Sequence, residues 1–226
     1  MKKLAVIIMC ASVAYCQVKG IDVSGYQPNV NWQQVKNNGI QFVYVKATEG
    51  TTYKNPSFNQ QYVGAPRVGL IRGAYHFARP DLSSGAVQAN HFFSNGGGWS
   101  RGGTTLPGAV DLEYNPYGPS KCYGQSTGAM INWIRDFSDT YKKMTGRPPV
   151  IYTSTSWWEL CTGNYGGFAA ENPLWIARYA SSVGTLPAGW QFHSFWQYTD
   201  NASPNPGDGD LWNGSLETLQ KFAGGE

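Results

Sequence analysis

Leu106-Pro107-Gly108-Ala109-Val110-Asp111-Leu112-Glu113 is an apolar run that ends in two carboxylic acids. Read as a strand, it places Asp111 and Glu113 on one face, about 6–7 Å apart along the backbone, because strand side chains alternate. Two acids that close do not ionise independently, and one keeps its proton towards neutral pH. Asp-x-Glu alone is a weak signal, since most occurrences are solvated strand ends. Its hydrophobic context strengthens it, because burying unpaired acids is costly.

The same pattern recurs along the chain. Strand-like runs lie at 21–23, 42–46, 70–77, 150–152, 174–177, 194–198 and, weakly, 210–212, and many end in a polar or acidic residue. Helical character falls between them, at 31–38, 58–63, 84–93, 126–144 and 216–222. In 126–144, Met130, Trp133, Ile134, Phe137 and Tyr141 recur at helical spacing, which assigns Trp133 and Phe137 to the core. Strands alternating with helices predict an α/β fold with a parallel sheet. Eight strands in about 210 residues predict an irregular, TIM-like (β/α) barrel, with some helices reduced or missing. The Gly-rich segment 95–103 predicts a mobile surface loop and lacks the Lys-Ser/Thr of a phosphate cradle.

A parallel barrel carries its active site at the C-terminal ends of its strands. That rule directs Asp22, Glu49, Tyr75, Phe77, Asp111, Glu113, Tyr152, Trp196, Gln197 and Asp210 towards one mouth. His76 alternates with Tyr75 and Phe77, so it is expected to face a helix layer.

The N-terminus reads as a secretory signal peptide over 1–16. Lys2 and Lys3 precede an apolar run that is too short for the ~20 residues of a membrane span. Cleavage after Ala14 or after Cys16 both fit. The remainder, 17–226, is expected to be a single catalytic barrel domain in an extracellular protein. Removing Lys2 and Lys3 lowers the formal charge from +3 to +1, too balanced for a nucleic-acid binder. With Cys10 and Cys16 assigned to the leader, Cys122 and Cys161 remain as a pair in an oxidising compartment. They are expected to form a disulfide closing about 40 residues, worth roughly 3–4 kcal/mol by chain entropy. Asn201-Ala-Ser203 and Asn213-Gly-Ser215 are glycosylation sequons, the first followed by Pro204.

Several motifs, in order, resemble glycoside hydrolase family 25, the Chalaropsis-type lysozymes. They are Gly20-Ile-Asp-Val-Ser-Gly-Tyr-Gln27, Phe42-Val-Tyr-Val-Lys-Ala-Thr-Glu49, Gly73-Ala-Tyr-His-Phe77, Asp111-Leu-Glu113, Trp196-Gln-Tyr198 and Asp210-Leu-Trp-Asn213. The resemblance implies hydrolysis of the β-1,4 bond between N-acetylmuramic acid and N-acetylglucosamine in bacterial peptidoglycan. It implies Glu113 as general acid/base, and Asp111 as the group that orients the substrate's 2-acetamido group, a substrate-assisted route. Asp22 and Asp210 would tune the acid or hold sugar and water, in an order that stays open. Gly207-Asp-Gly-Asp210 offers two aspartates, and spacing to Leu211 and Asn213 favours Asp210. Tyr75, Phe77, Tyr152 and Trp196 would form the sugar platform, with barrel core as the competing reading. Gln197 and Glu49 join the cleft, and Glu49 has a salt bridge or loop cap as its alternative.

No His/Asp spacing resembles a metal site, and no Gly-x-Ser-x-Gly elbow occurs, so neither metal, cofactor nor nucleophilic serine is expected. The chain is expected to act as a monomer, away from membranes. Two rival readings stand: a non-catalytic barrel that binds wall glycan, and a chitinase-like glycosidase.

Overall fold

The computed structural model describes residues 17–226. The segment 1–16 expected to be a leader, with Cys10 and Cys16, lies outside the described residues. Nine strands form one sheet: β1 (Val18–Val23), β2 (Phe42–Glu49), β3 (Tyr53–Lys54), β4 (Ile71–Phe77), β5 (Ala109–Leu112), β6 (Val150–Thr153), β7 (Leu174–Ala177), β8 (Phe195–Thr199) and β9 (Asp208–Trp212). Their order is β1-β9-β8-β7-β6-β5-β4-β2-β3, and β1 also pairs with β2. That pairing closes eight strands into a barrel and leaves β3 as a short hairpin arm on β2.

Six helices clothe it: α1 (Trp32–Asn37), α2 (Phe58–Arg67), α3 (Gly85–Phe92), α4 (Thr127–Thr145), α5 (Thr155–Thr162) and α6 (Leu216–Gly224). Four of them start on a serine whose hydroxyl accepts the N–H three residues on, namely Ser84, Ser126, Ser154 and Ser215. No helix occupies 178–194 or 200–207, so the expected loss of barrel helices falls on the last two connections.

The expectation of a wholly parallel barrel needs correction at one stave. β9 runs antiparallel to both β8 and β1. The cause is the connection 200–207, because a parallel return needs a crossover of a dozen or more residues. A second correction concerns 95–103. At its start the chain leaves the end of α3 through a kink, with Asn95 and Gly96 outside helical geometry and Gly96 at φ +108°. Tyr141 then donates to the Gly97 carbonyl at 2.7 Å and Trp99 to that of Ala223 at 2.9 Å, so the segment is pinned at both places.

Strand alternation sorts the core into layers. Phe42, Tyr44, Trp175, Phe195 and Trp212 fill the barrel interior. Tyr44 stacks on Trp175 at 4.7 Å. Such large rings need space, and two glycines supply it. A Cβ at Gly20 would lie 2.2 Å from the Phe42 ring, and one at Gly73 2.3 Å from that of Tyr44. Outside the barrel, Trp133 and Phe137 of α4 are buried as expected. His76 is buried there too, 5.4 Å from the Phe137 ring. Its ring nitrogens face Thr48 Oγ1 at 2.8 Å and Gln88 Oε1 at 3.0 Å. Burial pushes its pKa down to about 3, so it packs neutral. Cys122 and Cys161 form a disulfide with Cα atoms 5.4 Å apart. It ties the segment after β5 to α5.

Candidate active site

The parallel strands deliver their last residues, and β9 its first, to one mouth. Register sets the neighbours. Asp22 of β1 stands opposite Asp208 of β9, while Gly20 stands opposite Asp210. Asp111 of β5 lies between Phe77 of β4 and Tyr152 of β6. Glu113 follows one residue past the end of β5. A cleft of about 420 Å³ opens above them, lined by Asp22, Tyr75, Phe77, Asp111, Glu113, Glu49 and Asp208 among others. Below it is a small recess of about 80 Å³, floored by Trp175, Tyr152 and Gln197.

Gln197 organises the floor. Its Nε2 donates to Asp22 Oδ2 at 2.7 Å and to Asp208 Oδ2 at 3.3 Å. Its Oε1 accepts from the hydroxyls of Tyr152 at 2.7 Å and Tyr179 at 3.0 Å. Those two hydroxyl donors fix which end of the amide points at the acids. Beneath, fully buried Asp210 accepts from Trp175 Nε1 at 2.8 Å. Its other oxygen has no donor and faces the Asp22 carboxyl, so the two acids can sit together only by sharing a proton.

Asp22, Asp111, Glu113, Asp208 and Asp210 are held above the ordinary carboxylate range. Burial pushes Asp22 up to about 7, with the charge of Asp208 adding and the Gln197 amide opposing. Asp111 is driven well up, first by burial and then by the charge of Glu113. Glu113 is raised more modestly. Its side chain opens to solvent at the cleft edge, but protein crowds its other sides and desolvates it, while Lys46 opposes the rise. Asp208 is raised by partial burial and Asp200, and Asp210 strongly by burial and Asp22. Buried Asp111 Oδ1 has no hydrogen-bond partner. It is an acceptor waiting at the cleft wall.

The remaining residues divide. Tyr75 and Tyr152 belong to the interior cluster and also show an edge to the recess, so the core and platform readings meet in them. Phe77 lines the cleft with Lys46 Nζ 4.6 Å from its ring centre. Glu49 is on the wall, but its oxygens are engaged: Lys46 lies at 2.7 Å, Arg79 at 3.9 Å, and Tyr117 donates its hydroxyl. Trp196 does not join the cleft. Phe195 and Gln197 face the barrel, so alternation turns Trp196 outward into the helix layer, where Nε1 donates to the Arg178 carbonyl at 2.8 Å. Asp210 sits below the cleft rather than on its wall. The wall position belongs to Asp208, the other aspartate of Gly207-Asp-Gly-Asp210, whereas motif spacing to Leu211 and Asn213 favours Asp210. The brevity of 200–207 was the signal that would have found it. Among the described residues, no cluster of histidine, cysteine or acidic side chains is arranged to hold a metal ion.

The sequence profile of Glycosyl hydrolases family 25 matches residues 21–206. The chain is 53% identical over 208 residues to an N,O-diacetylmuramidase of Arthroderma benhamiae, covering 92% of this chain and 87% of that protein. It is 49% identical over 212 residues to an N,O-diacetylmuramidase of a Chalaropsis species, covering 92% and 100%. Its structure matches a muramidase from Acremonium alcalophilum with a TM-score of 0.90 at 57% identity, covering 92% of this chain and 100% of that one. The profile stops short of Asp208 and Asp210, whose placement rests on the fold alone. With the profile spanning Asp22, Asp111 and Glu113, and with relatives this similar along nearly its whole described length, the chain belongs to glycosyl hydrolase family 25 and is a glycoside-cleaving enzyme.

Proposed function

We propose that this enzyme is a secreted, monomeric muramidase that hydrolyses the β-1,4 bond between N-acetylmuramic acid and N-acetylglucosamine in bacterial peptidoglycan. The observation that carries the chemistry is the contrast within one strand end: Glu113 open at the cleft edge, Asp111 buried with an unpartnered oxygen. The disulfide supports an extracellular setting.

In this mechanism the substrate's acetamide N–H fills the vacant Asp111 Oδ1. A donor there favours the ionised carboxyl and lowers a pKa that burial had raised. The resulting charge raises Glu113 and keeps it protonated. The acetamide carbonyl oxygen then attacks the anomeric carbon as the Glu113 proton passes to the leaving oxygen, and the glycosidic C–O bond breaks. Water, deprotonated by the Glu113 carboxylate, opens the cyclic intermediate and restores the acid. Asp22, Gln197 and Asp208 hold the floor on which the sugar sits, and Asp210 anchors Asp22 from below.

Mass spectrometry of a digested bacterial wall tests the reading. Fragments ending in reducing N-acetylmuramic acid are expected. Fragments ending in N-acetylglucosamine would overturn the bond assignment. Tight wall binding without any soluble product would return the chain to a glycan-binding role.

A further inference from the structure

Glu113 stands between two concavities of different character. The acid-lined cleft is on one side. On the other is a shallower hollow of about 210 Å³, walled by Tyr114, Tyr152, Tyr179, Ala177 and Arg178. Glu113 is the one acid on its wall. The cations near the two sides also differ. On the acid side Lys46 and Arg79 are neutralised by Glu49 and Asp81 at 2.7 and 2.8 Å. On the aromatic side, Arg178 has no ion pair or side-chain hydrogen bond among the described residues. Lys121, equally without an ion pair there, lies 5.5 Å from the centre of the Tyr114 ring.

Arg178 is also seated rather than loose. Its guanidinium rests on Gly184, where the backbone has φ +65° and a Cβ would stand only 1.6 Å from Nη1. A glycine at that turn keeps the loop 178–194 clear of the planar group. Aromatic walls alone suffice for a neutral sugar polymer. A seated, unneutralised guanidinium beside them matches a carboxylate, which its fork can grip with two parallel hydrogen bonds.

The geometry points to a carboxylate-binding subsite at Arg178 that takes the 3-O-lactyl side of a muramic acid residue lying against Tyr114 and Tyr179. This deepens the muramidase reading and rests on it. The carboxylate can be that of the lactyl group itself, in peptide-free glycan, or that of an acidic residue in an attached peptide. Lys121 adds long-range attraction from the Tyr114 side.

The test uses the full chain carrying Glu113→Gln, so that binding is read without turnover. Calorimetry compares three forms of an alternating N-acetylglucosamine–N-acetylmuramic acid tetrasaccharide: free lactyl carboxylates, lactyl methylamides, and lactyl groups bearing L-Ala–D-Glu. Adding Arg178→Ala is expected to weaken at least one acidic form by about fivefold, and the methylamide by less than about twofold. Arg178→Lys should recover part of the loss, and added salt should shrink it. Loss on the lactyl form alone or on the dipeptide form alone supports the subsite and identifies its carboxylate. Equal loss on all three forms, or none on either acidic form, overturns it. Wall digestion by the unmutated enzyme is scored separately. Failure to release muramic acid ends sinks the muramidase reading, whereas normal digestion without Arg178 discrimination sinks the subsite alone.

Discussion

A group that protonates a leaving oxygen must regain or release protons at every turnover, which favours an open edge. A group that holds a substrate dipole works best where water is excluded. Glu113 and Asp111 divide along that line, although they are two residues apart on one strand end. Glu113→Gln keeps the shape and removes the proton, so turnover should fall by roughly 10²-fold or more, with the melting temperature unchanged at acid pH, where Glu113 is itself uncharged. Near-normal turnover would remove Glu113 from the role. Asp208 and Asp210 invite a second comparison, because the fold puts one on the cleft wall and the other beneath it. Asp208→Asn should lower kcat/KM on the order of tenfold, through lost electrostatic complementarity, with little change in stability at acid pH, where Asp208 is uncharged. Steady-state kinetics that show full activity for Asp208→Asn would contradict its place at the site. The pair Asp111 and Glu113 was legible because an apolar run that stops at two acids is hard to explain otherwise. Asp208 was not, because its position depends on which way the last strand runs.

Strand direction and helix burial account for most of what the sequence concealed at the level of elements. Eight staves could be read as short apolar runs, because barrel strands such as β5 are buried on both faces, and five helices from caps, breakers and, in 126–144, helical spacing. β9 was found, but its direction is set by the length of 200–207 and not by its own residues. α5 buries one face, Trp157, Trp158, Cys161 and Thr162, and exposes Ser156, Glu159 and Leu160, but it is only eight residues long and its apolar and polar residues do not sort cleanly by face. Trp157 and Trp158 are both fully buried, and Trp158 packs on Trp190 at 5.2 Å and Phe168 at 5.9 Å. With Leu160 on the exposed side and Thr162 on the buried one, the amphipathic signal fades. Its caps were in plain view, Ser154 at the start and Gly163 in the left-handed region at the end. Trp196 failed for the opposite reason: an aromatic residue at a strand end looks like a sugar platform until the alternation of its neighbours is followed. The disulfide makes α5 matter to the site, since it ties that helix to the segment bearing Tyr114 and Tyr117. Cys122→Ser combined with Cys161→Ala should lower unfolding free energy by about 3–4 kcal/mol in the chain-entropy picture. Denaturant melts of oxidised and reduced wild type check this without any mutation, and coincident midpoints would show that the bridge contributes nothing.

Across the whole molecule, the barrel mouth gathers Asp22, Asp111, Glu113, Asp208 and Asp210, all with raised pKa values. A carboxyl raised in the folded state adds stability below its unfolded pKa and loses it as pH rises through the folded one. For Asp22 that window runs from 3.8 to about 7. His76 works the other way. Its folded pKa is depressed from 6.5 to about 3, so its contribution is present above that window and lost as pH falls through it. His193 and the ion-paired Asp81, Glu171 and Glu217 act in the same sense as His76, but the last two are fully exposed and screened, whereas Asp22, Asp111 and Asp210 are buried, so the melting temperature should decline from mildly acidic towards alkaline pH. Asp210→Asn isolates one of the two most strongly raised buried acids, Asp111 being the other. The asparagine Oδ1 can still accept from Trp175, and its Nδ2 can donate to Asp22 where a shared proton is otherwise required. The variant should therefore gain stability over wild type at about pH 8, match it near pH 4, and show a flatter curve between. Melting curves of the two proteins across this range decide the matter. Parallel curves would mean that the proton shared between Asp22 and Asp210 carries no pH-dependent stability, and the acids would then have to reach neutrality by separating rather than by sharing.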